Sequence, residues 1–418
     1  MFTREKDELR RSNDKKLGTS AAPRRTIEAP TTNVRPLYQR RAGVNNALML
    51  TDIAILSPTG RNPGRAHGGI TPVIRTLAEA FKEAGLTVEL VTLTPDNPQR
   101  PIPGLPGGIK CRTLGSGHRR KQVQRLGAYL EQERPRALLA AGHRANVLAA
   151  QCPRGDTRVV LSVHNALSPG LTRLNPFRRW RRLSALRRYY PLADAIVCVS
   201  DGVATDLAHL VPAAQAKTTT VHNPVAPTDA DGAAPMHPWL LDARVPVILG
   251  AGRLTAQKDF ANLIRAFAAL RQEPNPRLLI LGEGSAREDL LRLAARLGVA
   301  DRVALPGFVP NPRAHMAAAS VFVLSSRWEG FGNVLLEAMS SGTPVVATDC
   351  PSGPREILAH GAFGQLVPVG DHEALSAAID ESLSLPLDAQ AARMRAAAFA
   401  PAQVAGRYLD VLLYTDHA

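Results

Sequence analysis

A chain of 418 residues is long enough to form two or three domains, each burying its own core. No stretch approaches the ~18 consecutive apolar residues that a membrane-spanning helix needs, and we expect no secretory signal at the charged start MFTREKDELRR. The four cysteines lie far apart without metal-ligand spacing, which favours a reduced, cytoplasmic protein without structural disulfides.

The formal net charge of +15 calls for an anionic partner or another physical reason. Residues 1–48 carry eleven Lys or Arg against five acids and little apolar periodicity, so they are predicted to form a basic, disordered tail. Met49 stands immediately before the first predicted strand, which leaves open whether this tail belongs to the native product.

Apolar, strand-like runs alternate with helical patterns across residues 49–225, which predicts a parallel sheet built from βαβ units. The first run, DIAILSP, leads into a Gly-rich loop and a helix at 71–85. Further strands are predicted at 88–93, 136–142, 159–165 and 195–201. This segment is the predicted N-terminal, acceptor-side Rossmann-like domain.

A second alternating series follows a segment rich in Pro, Asp and Ala at 226–246, which is predicted to be an interdomain linker. Strands are expected at 247–252, 278–284, 303–307, 321–326 and 344–348. Residues 247–386 are therefore predicted to form a nucleotide-sugar-binding domain. The predicted fold class is α/β, with two doubly wound, Rossmann-like domains facing each other across a cleft.

The stretch FRRWRRLSALRRYY at 177–190 holds six arginines and four aromatic residues without an acid. Such a stretch suits nucleic acid, an anionic membrane surface, or a helix face that is merely solvated. No nucleic-acid fold signature accompanies it, so we favour peripheral contact with the inner face of a membrane and expect no nucleic-acid partner.

The segment SRWEGFGNVLLEAMSSGTPVVATDCPSGPREIL at 326–358 carries the strongest chemical signal. Glu329 and Glu337 lie eight positions apart around a Gly-Phe-Gly turn, and carboxylates accept hydrogen bonds from polyhydroxylated ligands. Gly330 and Gly332 lack side chains, so backbone amides can approach a ligand, and the helix predicted after the turn adds its unpaired N–H groups. The segment predicts a site for a sugar joined to phosphate.

This pattern resembles the retaining glycosyltransferases of family 4, whose signature is two glutamates separated by seven residues. The resemblance extends from about Ile53 to Tyr408. It implies the two-domain GT-B architecture, with the last helices, within 387–418, returning to the N-terminal domain. It also implies that Glu329 holds the hydroxyls of the transferred sugar and that Glu337 holds the ribose. The donor-binding residues implied in this motif are Gly330, Phe331, Gly332 and Glu337.

The segment GRLTAQKDF offers two cations, Arg253 and Lys258, at the carboxyl end of a predicted strand. Cations there suit a diphosphate, whose charge they neutralise as the leaving group departs. In the family resembled, this pair grips the nucleotide diphosphate, so both residues are predicted to bind the donor and, with Glu329, to be catalytic. Relatives hold the base at the turn PGFVPN, which implies donor contacts from Gly307 and Phe308.

The first domain is expected to supply the other side of the cleft. GRAHGGI follows the first strand, where the family has a Gly-Gly loop; Gly69 is assigned to the donor, and His67 and Gly68 to the acceptor or sugar. A plain βα turn is the alternative. His143 and His164 end two further strands, where an imidazole can bond a sugar hydroxyl or order the acceptor, and His143 is predicted to be catalytic. Each is alternatively a capped loop histidine.

Together these residues predict a retaining, metal-independent glycosyltransferase. It would move a hexose or N-acetylhexosamine from a nucleotide diphosphate sugar, favoured as UDP-linked, to a glycan or lipid-linked acceptor in cell-surface polysaccharide or glycolipid synthesis. No cofactor beyond the nucleotide sugar is expected. Asp229 and Asp231 match an Asp-x-Asp metal motif but stand in the linker without a preceding strand, so we expect no catalytic metal. Asn223 is a weaker candidate for the cleft.

Two other functions remain open on the sequence alone. One is a sugar-nucleotide epimerase of the same architecture, which would need no acceptor. The other is a non-catalytic basic protein that binds a membrane or nucleic acid. The joint presence of Glu329, Glu337, Arg253 and Lys258 favours the transferase over both.

Overall fold

A computed structural model describes residues 51–57, 69–93, 107–225, 237–272, 275–385 and 388–413. The predicted tail at 1–48 and most of the predicted linker, 226–236, lie outside these residues. Within them, two parallel sheets alternate with helices along the chain, which confirms the predicted α/β class.

The first sheet has seven strands among the described residues. They are β1 (Ile53–Ser57), β2 (Val88–Thr92), β3 (Lys110–Thr113), β4 (Ala137–Ala141), β5 (Arg158–Val163), β6 (Ala195–Cys198) and β7 (Thr218–Thr220). Their order across the sheet is β3-β2-β1-β4-β5-β6-β7, with parallel pairing throughout. The order reverses between β1 and β4, and in such sheets ligands bind outside the carboxyl ends of the strands at this switch point.

The second sheet repeats this arrangement with six described strands. They are β8 (Val247–Ala251), β9 (Arg277–Leu281), β10 (Val303–Gly307), β11 (Val321–Leu324), β12 (Val345–Thr348) and β13 (Gln365–Val367). Their order is β10-β9-β8-β11-β12-β13, again all parallel. The switch point falls between β8 and β11, the strands that precede the predicted cations and the predicted carboxylates.

Helices connect the strands of both sheets. In the first half of the chain they are α1 (Ile70–Glu83), α2 (Arg119–Glu133), α3 (His143–Ala149), α4 (Ser168–Thr172), α5 (Pro176–Tyr189) and α6 (Asp201–Leu210). In the second half they are α7 (Phe260–Ala269), α8 (Arg287–Arg296), α9 (Arg313–Ala318), α10 (Asn333–Ser340), α11 (Pro354–Ile357), α12 (His372–Ser384), α13 (Ala389–Ala397) and α14 (Pro401–Leu413).

The apolar spacing of these elements explains their packing. In α1, buried residues recur at Val73, Leu77 and Phe81, four positions apart, so one face of the helix covers the sheet. The strand β1 is buried along its whole length, as expected for a central parallel strand with helices on both faces.

The last two helices divide between the domains. Helix α13 packs on α10 of the second domain, whereas α14 lies against α1 and β5 of the first. The hydroxyl of the fully buried Tyr408 lies 3.3 Å from Ser162 Oγ, and Arg158 Nε donates to the carbonyl oxygen of Val411 over 2.9 Å. The return implied for 387–418 therefore begins only at α14.

Helix α5 carries the arginine-aromatic stretch on the surface of the first domain. Phe177 and Trp180 are each 64% exposed, and their rings stack at 6.3 Å. The arginines Arg178, Arg179 and Arg181 are also exposed. Among the described helices, none combines the length and apolar character needed to cross a bilayer.

Candidate active site

The cation predicted after β8 and the carboxylate predicted after β11 are in direct contact. Lys258 Nζ lies 2.6 Å from Glu329 Oε1, and the two side chains are only 14% and 8% exposed. The contact arises because β8 and β11 are adjacent, so the loops leaving their carboxyl ends meet at one edge of the sheet. Each buried charge needs a partner, and the ion pair supplies one to both side chains.

Hydroxyl groups at the ends of two strands hold this pair in place. Ser326 Oγ donates to Glu329 Oε1 over 2.6 Å, and Ser325 Oγ donates to the carbonyl oxygen of Lys258 over 2.8 Å. Thr348, at the end of β12, donates to the carbonyl oxygen of Ser326. Both bonds to Glu329 involve Oε1, so Oε2 can still accept a hydroxyl group. Sequence reasoning missed Ser326, although a hydroxyl three residues before the carboxylate was a usable signal.

The missing side chain of Gly252 leaves the space that the Lys258 side chain occupies. A β-carbon at Gly252 would lie 2.9 Å from Lys258 Cε, and its φ of +153° disfavours any side chain. A β-carbon at Gly282 would lie only 1.9 Å from the carbonyl oxygen of Gly252, so the strand ends of β8 and β9 pack backbone to backbone. The glycine turn at residues 281–284 thus shapes the edge of the site by close packing.

The predicted donor residues after β8 and β10 lie at this same edge of the second sheet. Arg253 is exposed, whereas Gly307 is buried, and its carbonyl oxygen accepts the amide of Gly282 over 2.7 Å. Phe308, next along the chain, is 45% exposed. The Arg253 cation can pair with the diphosphate of a nucleotide sugar, and the exposed ring of Phe308 can contact its base.

Glu337 lies half-buried on α10, near Lys258. Burial raises the pKa of its carboxyl, and the positive charges of Arg313 and Lys258 oppose that rise. Lys258 is therefore close to both carboxylates of the motif. Gly332 precedes α10 with a φ of +100°, and no described side chain caps the helix there, so the helix N-terminus is available to an anion.

The first domain touches the Glu-Gly-Phe-Gly turn directly. A β-carbon on Gly330 would lie 1.9 Å from the carbonyl oxygen of His164, and Ser200 Oγ donates to the carbonyl oxygen of Gly330 over 2.7 Å. Gly330 was expected to open the turn to the donor; instead, its missing side chain lets the first domain approach. Arg173 of the first domain also lies 4.2 Å from the ring centre of Trp328.

Phe331 belongs to a second contact between the domains. Its buried ring stacks on His222 at 5.0 Å and lies 5.7 Å from Phe399. His222 Nε2 in turn lies 3.0 Å from Glu356 Oε2. The ring of Phe331 is enclosed by these neighbours, so the donor contact implied for this residue stays a prediction for its backbone alone.

Glu356 was not singled out from the sequence, since one glutamate in PREIL carries no distinctive pattern. Its carboxylate accepts the amides of Asp201 and Gly202 over 2.9 and 3.1 Å, at the start of α6 in the first domain. Burial raises the pKa of this carboxyl, but the bonds from His222 and the two amides outweigh burial and hold it below its ordinary value. Glu356 therefore joins the domains as a charged acceptor.

Gly69, the residue before α1, faces the N-terminus of α10 across the cleft. Asn333 Nδ2 lies 3.5 Å from the carbonyl oxygen of Gly69, and Asn223 Nδ2 donates to Asn333 Oδ1 over 2.9 Å. Gly69 is therefore close to the helix amides expected to meet a phosphate. The other two residues predicted here, His67 and Gly68, lie outside the described residues.

His164 does not point into the cleft. Its ring is buried, with Nε2 3.0 Å from Ser162 Oγ, which in turn meets the Tyr408 hydroxyl of α14. Side chains two positions apart on a strand share a face, so His164 and Ser162 both face α14. Only the backbone of His164 borders the active-site turn, which corrects the sugar contact predicted for its imidazole.

His143 lies half-buried at the carboxyl edge of β4, at the switch point of the first sheet. Its Nδ1 lies 3.4 Å from the hydroxyl of Tyr190, which also receives Asn146 Nδ2 at 3.3 Å. Burial and then the charge of Arg182 lower the pKa of His143 to about 4, so its imidazole is neutral at physiological pH. A neutral imidazole can accept or donate a hydrogen bond to a hydroxyl.

Among the described residues, no group of three or more His, Cys, Asp or Glu side chains could hold a metal ion. The predicted coincidental motif at Asp229 and Asp231 lies outside the described residues.

Comparisons with known proteins agree on one family. The model "Glycosyltransferase Family 4" matches residues 67–229, and "Glycosyl transferases group 1" matches residues 237–400. An N-acetylgalactosaminyltransferase of Campylobacter jejuni is 30% identical over 276 residues, covering 65% of this chain and 74% of the relative. The chain belongs to glycosyltransferase family 4.

Other relatives of this family 4 member match over shorter stretches. The lipopolysaccharide core biosynthesis glycosyltransferase LpsE of Rhizobium meliloti is 35% identical over 193 residues. That match covers 46% of the chain and 55% of LpsE, so the chain spans little more than half of this relative.

Solved structures show the GT-B fold. Sucrose-phosphate synthase from Thermosynechococcus elongatus superposes with a TM-score of 0.72 at 23% identity, covering 85% of this chain and 96% of that one. Anabaena HepE in complex with UDP-glucose superposes with a TM-score of 0.68 at 20% identity, covering 87% and 99%. The predicted architecture of two facing Rossmann-like domains is thereby confirmed.

Proposed function

We propose that this family 4 member is a retaining, metal-independent glycosyltransferase. It moves a hexose or N-acetylhexosamine from a UDP-sugar to a glycan or lipid-linked acceptor in cell-surface polysaccharide or glycolipid synthesis. The observation that carries the proposal is the buried contact of 2.6 Å between Lys258 and Glu329 at the switch point of the second sheet. One cation for a phosphate and one carboxylate for sugar hydroxyls are thus held side by side.

The relatives support the choice of donor and acceptor. The Campylobacter enzyme is named for transfer of N-acetylgalactosamine to a sugar on diphospho-undecaprenol, and LpsE is named for lipopolysaccharide core biosynthesis. HepE has been crystallised with UDP and with UDP-glucose. A UDP-sugar donor and a lipid-linked or lipopolysaccharide acceptor are therefore the chemistry we propose for this chain.

The proposed reaction proceeds on one face of the sugar. The bond between the anomeric carbon and the β-phosphate oxygen breaks, the acceptor oxygen bonds to the same face, and the departing phosphate takes the acceptor proton. Arg253, Lys258 and the amides at the start of α10 would stabilise the charge that develops on the diphosphate. Glu329 would hold sugar hydroxyls through Oε2, and Glu337 would hold the ribose.

His143 is proposed to work as a neutral hydrogen-bonding group. Its low pKa makes it unsuited to donate a proton as an imidazolium near neutral pH. We therefore assign it to a hydroxyl of the sugar or acceptor, with Tyr190 fixing the ring. The proton of the acceptor goes to the leaving phosphate and needs no protein base.

We further propose that α5 holds the enzyme against an anionic membrane. The stacked Phe177 and Trp180 offer apolar surface, and neighbouring exposed arginines offer charge, which together suit a lipid interface. The helix contains no acidic residue to oppose that attraction. Catalysis is proposed to occur at the cytoplasmic face of that membrane, on a lipid-linked acceptor.

The test of the proposed function is nucleotide release from UDP-sugars, measured with and without a glycolipid acceptor. A transferase releases UDP faster when the acceptor is present and labels the acceptor with the sugar. An epimerase of the same architecture would change the sugar without labelling an acceptor. Absence of both reactions would leave a non-catalytic protein and refute the proposal.

A further inference from the structure

A cation without a described acidic partner lies close to His143. Arg182 extends from α5, is half-buried, and its Nε is fully covered without a hydrogen-bond partner among the described residues. Burial dominates the pKa values of His143 and Tyr190, but both also respond to the charge of Arg182. Helix α5, which carries Arg182, also packs against α3, which begins at His143, so the guanidinium lies near the pair formed by the imidazole and the phenol.

The helices around this cation bring no acid to it. Helices α3 and α5 contain no Asp or Glu, and the only acids of α2 are Glu131 and Glu133 at its far end. Glu133 is already paired there with Arg112, at 2.7 Å. Helix α6, which also packs on α5, carries Asp206, but that carboxylate already accepts the amides of Leu167 and Ser168. A half-buried charge with no counterion is costly, and an anionic ligand would remove that cost.

Neighbouring cations strengthen the positive field at this edge of the first domain. Arg144 follows His143 directly and donates to the neutral Gln122 over 3.0 Å. Arg119, at the start of α2, lies 5.7 Å from the ring centre of Tyr189. Both contacts are with uncharged partners, so neither compensates a positive charge.

We propose that Arg182 binds an oxyanion of the acceptor, a phosphate or a carboxylate located next to the hydroxyl that receives the sugar. The inference rests on the proposed function, because it assigns the first-domain edge of the cleft to the acceptor. The planar guanidinium presents forked donors that fit an oxyanion in two places at once. With the anion on Arg182, the neighbouring hydroxyl of the acceptor reaches the neutral imidazole of His143.

The experiment is calorimetric titration of inorganic phosphate, and separately of acetate, into protein already saturated with UDP. UDP fills the donor site, so phosphate is directed to other cations, and the UDP step itself reports whether the donor site works. The variants are Arg182→Gln, Arg182→Lys and the matched control Arg181→Gln, which removes an exposed charge from the neighbouring position. Melting temperatures verify that each variant is folded.

We expect saturable binding of at least one of the two anions to the wild type and to Arg181→Gln, weakened at least tenfold in Arg182→Gln. Arg182→Lys keeps the charge and should lose less than Arg182→Gln. Equal loss in both Arg182 variants would indicate lost packing, and equal binding by the wild type and Arg182→Gln would remove the site; either overturns the inference. UDP binding should be unchanged in every variant. Loss of anion binding with UDP binding intact can then be told apart from failure of the donor site.

A second arm distinguishes an acceptor anion from a lipid headgroup. Arg182→Gln and Arg181→Gln are each sedimented with phosphatidylglycerol vesicles. We expect Arg182→Gln to bind vesicles as the wild type does, because Arg182 is half-buried beside His143, whereas Arg181 is exposed. Loss of vesicle binding confined to Arg182→Gln would assign this cation to the membrane and overturn the acceptor site.

Discussion

Lys258 and Glu329 stand 71 positions apart in the chain and meet at 2.6 Å. The sequence assigned them to different parts of the donor, one to the diphosphate and the other to the sugar. Because the two side chains are in contact, their two predicted roles belong to one small region of the site. In a nucleotide sugar, the sugar and the phosphate are adjacent only at the bond that breaks in the reaction. The contact between Lys258 and Glu329 therefore predicts that this bond lies beside them.

Replacing Glu329 with Gln should preserve the fold and remove most transfer activity. The neutral amide keeps the size of the side chain but loses the charge that pairs with Lys258 and with which each hydrogen bond from a hydroxyl contributes roughly 1.5–3 kcal/mol. We expect kcat/KM to fall by about 10²-fold or more. Glu288→Gln, on the exposed start of α8, is the control; equal activity in both variants would remove Glu329 from the site.

Arg253→Ala and Lys258→Ala should each reduce turnover by about 10²-fold, since each removes a cation from the leaving group. Chelators should leave the wild-type rate unchanged. The control is Arg265→Ala, an exposed arginine on α7. Loss of activity with EDTA and recovery with magnesium or manganese would contradict the metal-independent mechanism.

Gly330→Ala tests the approach of the two domains. The added methyl group would lie 1.9 Å from the carbonyl oxygen of His164, so the turn carrying Glu329 must shift. A displacement of about 1 Å at a reacting centre costs about 10²-fold in rate. Gly170→Ala, where no atom lies within 4 Å, should remain near wild type. Matching rates in the two variants would show that the contact is dispensable.

The buried His164 predicts how stability depends on pH. Burial lowers its pKa to about 4, below its ordinary value near 6.5, so between these values the unfolded chain binds the proton and the folded protein does not. This contribution to stability is complete above pH ~6.5 and is lost as the pH falls toward ~4, with a slope of at most about 1.4 kcal/mol per pH unit. Urea unfolding from pH 7 to pH 4.5 measures it.

The variant His164→Gln should show a shallower loss of unfolding free energy on acidification than the wild type. His118→Gln, at an exposed position before α2, should match the wild-type slope. Parallel curves for all three proteins would show that His164 is not held neutral by the fold.

Membrane binding through α5 should depend on both charge and aromatic surface. Changing Arg178, Arg179 and Arg181 together to Ala should weaken binding to anionic vesicles by about 10²-fold, because each arginine contributes about 1 kcal/mol. Phe177→Ala combined with Trp180→Ala should also weaken it. Sedimentation with anionic and with neutral vesicles measures both effects; equal binding to the two lipids, or none lost in the variants, would favour a soluble acceptor.

The sequence predicted the position of the site because parallel α/β sheets place it at strand ends. Lys258 and Glu329 follow adjacent strands, and that adjacency follows from the doubly wound order. The side-chain directions were less predictable. His164 ends a strand as expected, but it faces α14, a helix more than 200 residues later in the chain, so no local pattern reveals its burial.

The contacts between the domains were the least predictable part. Gly330 and Phe331 lie within the motif that identifies the family, yet the structure uses both to join the two domains. Their partners, His164 and His222, are distant in sequence, and Glu356 carries no motif of its own. Which residues of the motif contact the ligand and which contact the other domain depends on how the two domains pack, and the sequence does not reveal that packing.

The most direct test of the central claim is the configuration at the anomeric carbon of the product. The wild-type enzyme is given an α-linked UDP-sugar labelled with ¹³C at that carbon, a glycolipid acceptor and EDTA, and the product is examined by NMR. The account predicts an α-linked sugar on the acceptor and free UDP. A β-linked product, an epimerised UDP-sugar, or a reaction that stops until metal is added would contradict it.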